Sequence, residues 1–243
     1  MPNSSLRPFV RSLELHDELA MDELAAVENL PIREKSFADG EEIVAEGSRP
    51  RESCLVLDGF AARTHLLRSG KQQIAAVHIP GDFVDLHSFL LKVMDHSVMA
   101  FGDCKVAFVA HDHLLILTEK YPHLTRLLWL STTIDAAIQR AWIVSMGRRT
   151  AEQHFGHLVC ELFMRLKSVD LLKDHSFTFP ATQAEVGDIL GLSTVHVNRM
   201  LQNLRATGFV TWQGNIVTVL DFDGLSEMVD FDPTYLNLFK EPR

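Results

Sequence analysis

The side chain with the plainest chemistry in this sequence is Arg199, within the stretch ATQAEVGDILGLSTVHVNRMLQNLRATGF that runs from Ala181 to Phe209. A guanidinium presents paired N–H donors that match O6 and N7 of guanine, a contact that contributes about 1 to 3 kcal/mol of base discrimination. At helical spacing, Val195, Arg199 and Gln202 share one side, with His196 and Asn198 flanking it. Val197, Leu201 and Leu204 share the opposite side, with Met200 at its edge, which is the division between outward and core-facing stripes of an amphipathic helix. Thr194 falls at the exposed N-terminal end. Such a helix is suited to hydrogen bonding with base edges in a DNA major groove.

The flanking residues are those needed to hold that helix. Thr182 with Glu185 three positions later has the spacing of a capping box, and Val186, Ile189 and Leu190 form the buried stripe of a first short helix. Gly191 then stands where a left-handed residue ends it, and Ser193 is placed to cap the second helix. The pair predicts a helix-turn-helix. Thr182 and Gln183, at the N-terminus of the first helix, are candidates for phosphate contact. After Gly208 the strand-like runs Phe209 to Trp212 and Ile216 to Leu220 flank Gln213-Gly214-Asn215, predicting a β-hairpin wing.

The chain has 243 residues, enough for two domains with cores of their own. Its net charge of -9 argues against unspecific attraction of the whole surface to nucleic acid, so positive charge must be concentrated locally, where Arg199 and Arg205 stand. No run of about 18 apolar residues is present and MPNSSLRPFVRSLEL lacks the pattern of a signal peptide, which predicts a cytoplasmic protein with no membrane partner. Cys54, Cys104 and Cys160 are three in number and widely spaced; they form no disulfide framework or zinc pattern, and cannot supply a four-cysteine iron-sulfur cluster. The P-loop, GxSxG, HExxH and dinucleotide-binding patterns are absent, and no catalytic residue is assigned. His65, His78, His87, His96, His111 and His113 are concentrated in the first half; His111-Asp112-His113 reads as surface polarity on a strand or turn, and no metal site is assigned.

From Phe37 to about Ala110, short apolar runs are punctuated by Gly40, Gly47, Gly59, Gly70 and Gly81, the pattern of an antiparallel roll or jelly roll. Strands are expected at Glu42 to Ala45, Ser53 to Leu57, Ala61 to Leu67, Gln73 to His78 and Lys105 to Val109. Tyr121 to Met146 should be one long helix, with Pro122 in its first turn. Leu127, Ser131, Ile134, Ile138, Ala141 and Ser145, with Trp142 beside them, recur as a heptad seam and predict a parallel homodimer. Two recognition helices would then stand about 34 to 36 Å apart, matching a palindromic site. Gly147-Arg148-Arg149-Thr150 breaks the period and suggests a hinge, before a further helix from Ala151 to Lys167. The expected class is α+β: an N-terminal antiparallel β-roll sensor domain over 1–120, a dimerisation helix over 121–147 and a C-terminal winged helix-turn-helix over 148–243.

This order of parts resembles the CRP/FNR family of bacterial transcription regulators. The local signatures are Gly40-Glu-Glu-Ile-Val-Ala-Glu-Gly47, Leu55-Val-Leu-Asp-Gly59, Pro80-Gly81-Asp82-Phe83, Ala151-Glu152 and the helix from Ser193 to Leu204. The resemblance implies an effector pocket that includes Gly81, Asp82, Leu86, His87, His96 and Ser97 of the roll and Gln139 and Arg140 of the long helix. It also marks departures from the members that bind cyclic AMP. Leu86 stands at the place of the ribose-binding glutamate, His96-Ser97 replaces an Arg-Ser pair, and Gln139-Arg140 replaces a Thr-Ser pair, so the bidentate phosphate clamp of an arginine is missing. A cofactor is therefore unassigned, and cyclic AMP is not expected. In this the chain resembles those regulators of nitrogen fixation and denitrification that have no recognisable cofactor motif.

Family members present a glutamate to cytosine and an arginine to guanine from the recognition helix. Here Arg199 keeps the second position, but Val195 replaces the glutamate and offers only an apolar contact, suited to a thymine methyl group. The resemblance further implies double-stranded promoter DNA and RNA polymerase as partners. The competing expectation is a ligand- or partner-binding module that no longer reads DNA. Effector, target genes, half-site sequence, active conformation and the choice between activation and repression are not fixed by the sequence.

Overall fold

The computed structural model describes residues 4–243, so residues 1–3 of the first expected domain lie outside the described residues. The chain divides into two compact units: 1–65 with 75–136 and 238–243, and 66–74 with 137–237. The long helix contributes to both units, and the last six residues return to the first.

The N-terminal part adds two helices that apolar periodicity did not announce, α1 (Arg7–Glu14) and α2 (Met21–Glu28). They precede β1 (Arg33–Phe37), β2 (Glu42–Val44), β3 (Glu52–Leu66) and β4 (Gln72–His78), the one-turn α3 (Ser88–Leu91) and β5 (Ser97–Ala110). The strands form one sheet in the order β1-β5-β3-β4, with β2 also paired to β5. β5 runs antiparallel to β1, β2 and β3.

The runs 53–57 and 61–67, expected as separate strands, are one fifteen-residue strand. Gly59 is not a turn between them: at φ +74 it lies in a bulge of β3, where a Cβ would come within 2.2 Å of the Asp103 carbonyl oxygen. Alternate residues of β3 feed two cores. Leu55 and Leu57 join Leu6, Phe9 and Leu13 on one face, whereas Cys54 and Val56 join Phe37, Val84 and Val98 on the other. Both faces are thereby closed from water, which is why Ser53 to Leu57 reads as a continuous apolar run rather than an alternating one. The three cysteines are buried as free thiols, and burial pushes Cys104 and Cys160 up to about 12.

α4 (His111–Lys120) leads into α5 (Pro122–Arg148). His111-Asp112-His113 therefore opens a helix and is not a strand or turn. His111 Nε2 lies 3.2 Å from Ser53 Oγ and 3.3 Å from Ser88 Oγ, so its polarity is engaged inside the fold rather than turned to solvent. Gly147 is still helical in α5; the break falls at Arg149 and Thr150, where Thr150 caps the next helix by accepting from the Gln153 amide.

The expected seam of α5 is corrected by its burial. Leu127, Ile138, Trp142 and Ser145 are closed off inside the chain, while Ser131, Ile134 and Ala141 are partly buried. Leu127 packs into the core with Leu6 and Phe9, and the Trp142 indole N–H donates to the Glu161 carboxylate at 3.0 Å. The uncovered apolar line is a different one. Trp129, Ala136 and Ile143 recur at steps of seven and are exposed, with Val144 beside them.

The second unit is built around α6 (Ala151–Ser168), followed by β6 (Ser176–Thr178), α7 (Gln183–Leu190), α8 (Thr194–Ala206), β7 (Val210–Gln213), β8 (Ile216–Val219) and α9 (Phe222–Val229). The expected apolar positions of α6, from Phe155 to Leu166, are all buried, and so are His154, His157, Glu161 and Arg165. His157 stacks on Tyr235 with ring centroids 5.8 Å apart.

Burial, reinforced by the nearby Arg149 cation, lowers His157 from 6.5 to about 4. The folded state thus resists a proton that the unfolded chain accepts, and stability present above about pH 6.5 is lost as pH falls towards 4. His157→Phe, which keeps the aromatic stack, should flatten this decline by on the order of 3 kcal/mol. Denaturant titrations from pH 7 to pH 4 check it, and equal pH dependence in both proteins would contradict it.

Candidate nucleic-acid interface

The helix-turn-helix forms as its capping residues dictate. Thr182 Oγ1 accepts from the Glu185 amide at 3.2 Å while Glu185 Oε2 accepts from the Thr182 amide at 2.8 Å. Gly191 ends α7 in the left-handed conformation, and Ser193 Oγ accepts from the His196 amide at 3.5 Å at the start of α8. Gly187 lets the turn close tightly: a Cβ there would meet the Leu192 carbonyl oxygen at 2.6 Å.

Val197, Met200, Leu201 and Leu204 of α8 are buried, as its periodicity predicts. Ser193, Thr194, Val195, His196, Asn198, Arg199 and Gln202 are exposed, as are Thr182 and Gln183. Val195 is 81% exposed, an uncovered β-branched side chain at the head of a helix whose Val197, Met200, Leu201 and Leu204 are inside. Arg199 has no carboxylate in ion-pair range among the described residues, so its five donors face outward. Thr182 differs from its neighbours in being engaged: its hydroxyl also donates to Glu185 Oε2 at 2.7 Å, which leaves Gln183 as the freer polar side chain of that turn.

Two supporting contacts had no signal in sequence spacing. The Asn203 side-chain amide donates to Glu152 Oε1 at 3.0 Å and ties α8 to α6. Arg205 donates to the Trp212 carbonyl oxygen, so it braces the wing and is not a second free cation beside Arg199. The wing itself is the expected hairpin, with β7 pairing β8 from Val210 with Val219 to Gln213 with Ile216, and β6 adding a third strand. Phe179 and Phe155 pack on Trp212 of the wing.

The expected effector residues of the roll are engaged with different partners. Leu86 is buried in the core shared with the N-terminal helices. Asp82 Oδ2 accepts from the Ile79 amide at 3.0 Å across the Pro80-Gly81 turn, and Gly81 passes so close to Pro8 that a Cβ would lie 2.8 Å from its carbonyl oxygen. Ser97 Oγ donates to Glu42 Oε1 at 2.9 Å and accepts from the Glu46 amide at 3.1 Å. Gln139 is partly buried and Arg140 exposed on α5. His87 and His96 meet, with ring centroids 5.1 Å apart. Beside them stands Arg63, a buried cation in the apolar run of β3, which donates to the Val84 carbonyl oxygen and to Asp135 Oδ2, both at 3.1 Å. A lone arginine within such a run was the available signal for it.

Comparison with known proteins agrees with this architecture. Residues 34–121 match the cyclic nucleotide-binding domain, and residues 158–228 match the Crp-like helix-turn-helix domain. The transcriptional activator protein FnrL of Cereibacter sphaeroides is 25% identical over 210 residues, covering 85% of this chain and 84% of that protein. A probable transcriptional activator of Rhizobium leguminosarum bv. viciae is 26% identical over 212 residues, 87% of each. The structure of FixK2 from Bradyrhizobium japonicum superposes with a TM-score of 0.73 at 25% identity, covering 82% of this chain and 97% of that one. The two domain matches fall where the sheet and the α7–α8 pair stand, in the same order, and the chain belongs to the CRP/FNR family of bacterial transcription regulators.

Proposed function

We propose that the chain works as a homodimer on two-fold symmetric promoter sites, with α8 of each copy in a major groove and RNA polymerase contacted from the bound site. It does so in the cytoplasm and carries out no catalytic step. The observation that carries this reading is the division of α8, whose apolar side is wholly buried while Val195, Arg199 and Gln202 stand uncovered. Arg199 reads one G·C pair in each half-site, and Val195 favours a neighbouring thymine methyl group. His196, Asn198 and Gln202 add base or phosphate contacts, and Gln183 a phosphate contact.

The dimer contact runs along Trp129, Ala136 and Ile143, because an exposed heptad line on a helix of 27 residues is the surface a second copy of that helix would cover. Cyclic AMP is not the effector, since Leu86 is in the core and no arginine stands at His96. Ile143→Glu tests the dimer and the DNA reading together. Like charges facing each other across a two-fold seam should weaken dimerisation by roughly 100-fold or more. Sedimentation should show monomers, and affinity for promoter DNA should fall with dimer population. A variant that stays dimeric and binds DNA as before would contradict the proposed contact.

A further inference from the structure

The geometry points to a binding site for a divalent transition-metal ion in the roll, formed by the imidazoles of His87 and His96 and the carboxylate of Asp95. Among the described residues these three side chains each offer a ligand atom within 4.8 Å of the other two. Ligand atoms around one tetrahedral ion stand about 3.4 Å apart, so small side-chain rotations bring the set to coordination distance. The three lie at positions 87, 95 and 96 and meet only because the chain turns from α3 into β5.

The hydrogen-bonding pattern favours an ion over a structural polar cluster. His96 Nδ1 lies 2.7 Å from Asp95 Oδ1, so these are the two atoms that would share the ion, which takes the place of the proton between them. His96 is 3% exposed, and its Nε2 and that of His87 are both buried without a hydrogen-bond partner among the described residues. A buried nitrogen without a partner costs free energy, and a ligand at His87 Nε2 would offset that cost. The neutral ring is the form that ligates.

The charge balance admits a cation. Arg63 is the nearby positive group and is paired with Asp135 at 3.1 Å, while Asp95 contributes a further negative charge. His65, its ring 5.9 Å from that of His96, is a further imidazole at hand. Two imidazoles and one carboxylate are borderline donors that suit zinc, cobalt or nickel better than calcium or magnesium. The site therefore assigns a role to the two histidines that the cyclic-nucleotide pattern leaves without one.

The test uses the full chain, stripped with a chelator and titrated with Co2+ followed by visible absorption, with Zn2+ as competitor. One ion per chain should bind, giving the spectrum of a low-symmetry nitrogen and oxygen site that Zn2+ abolishes. His87→Ala and His96→Ala should each weaken binding by about 100-fold or more, and Asp95→Asn by about 10- to 100-fold. His111→Ala, outside the cluster, should bind as the parent does. Circular dichroism identifies the variants that fold; His87, only partly buried, supplies the test if His96→Ala does not. No saturable binding to the parent, or unchanged affinity in a folded His87→Ala, would overturn the site. Neither readout involves DNA, so failure here is distinct from failure of the regulator reading.

Discussion

Arg199→Ala should sharply weaken binding to the specific DNA site while leaving the fold intact. The side chain is exposed, and nothing in the interior depends on it. One bidentate contact to guanine contributes about 1 to 3 kcal/mol, and a two-fold complex makes it twice, so the loss is about 2 to 6 kcal/mol or roughly 30-fold to 10⁴-fold in affinity. Binding to unrelated duplexes should change far less, because that affinity comes from phosphate contacts and not from base edges. Fluorescence anisotropy on a promoter duplex and on a scrambled one separates the two effects. Equal losses on both would mean that Arg199 holds the backbone instead of a base.

The second large effect is on stability. Glu161 is fully buried and accepts from the Trp142 indole at 3.0 Å and from the Tyr235 hydroxyl at 2.8 Å, with Arg165 Nη1 at 3.4 Å. Burial raises its carboxyl, and its partners oppose that shift. Glu161→Leu would remove a charged partner of the buried Arg165 guanidinium and strand the Trp142 and Tyr235 donors, at a cost of about 3 to 5 kcal/mol. Glu161→Gln should cost less, because the amide oxygen still accepts. Replacing Glu161 and Arg165 together by leucine should recover part of the loss, since the buried cation is then removed with its carboxylate. Denaturant unfolding measures all three. A Glu161→Leu protein as stable as the parent would mean that the network contributes nothing.

The reach of the sequence varied with how local the determinants were. Thr182, Glu185, Gly191 and Ser193 act within a few residues of themselves, so α7, α8 and their caps were legible in full. The same holds for α6 and the wing. α1 and α2 escaped because eight-residue helices offer barely two turns of periodicity, and their apolar residues acquire meaning only against Leu55 and Leu57 of a distant strand. The seam of α5 failed for a related reason. That helix has apolar residues on more than one side, and which line meets the chain's own core depends on where α6 and α1 come to lie. Glu161 carried a usable signal, a carboxylate set between Cys160 and Leu162 in a continuous apolar run. His87 and His96 carried none, because their spacing matches no ligand motif and only the fold brings them together.

Val195, 81% exposed at the head of α8, offers an apolar contact and no hydrogen bond, and it directs attention to the DNA word itself. Selection of duplexes from a random pool, run in parallel with the parent and Arg199→Ala proteins, tests the reading of DNA by α8 most directly. The parent should enrich a two-fold symmetric site with a fixed G in each half and a T close to it, and the variant should lose the preference at that G alone. An Arg199→Ala protein that enriches the same G, or a parent that enriches no site, would contradict the account.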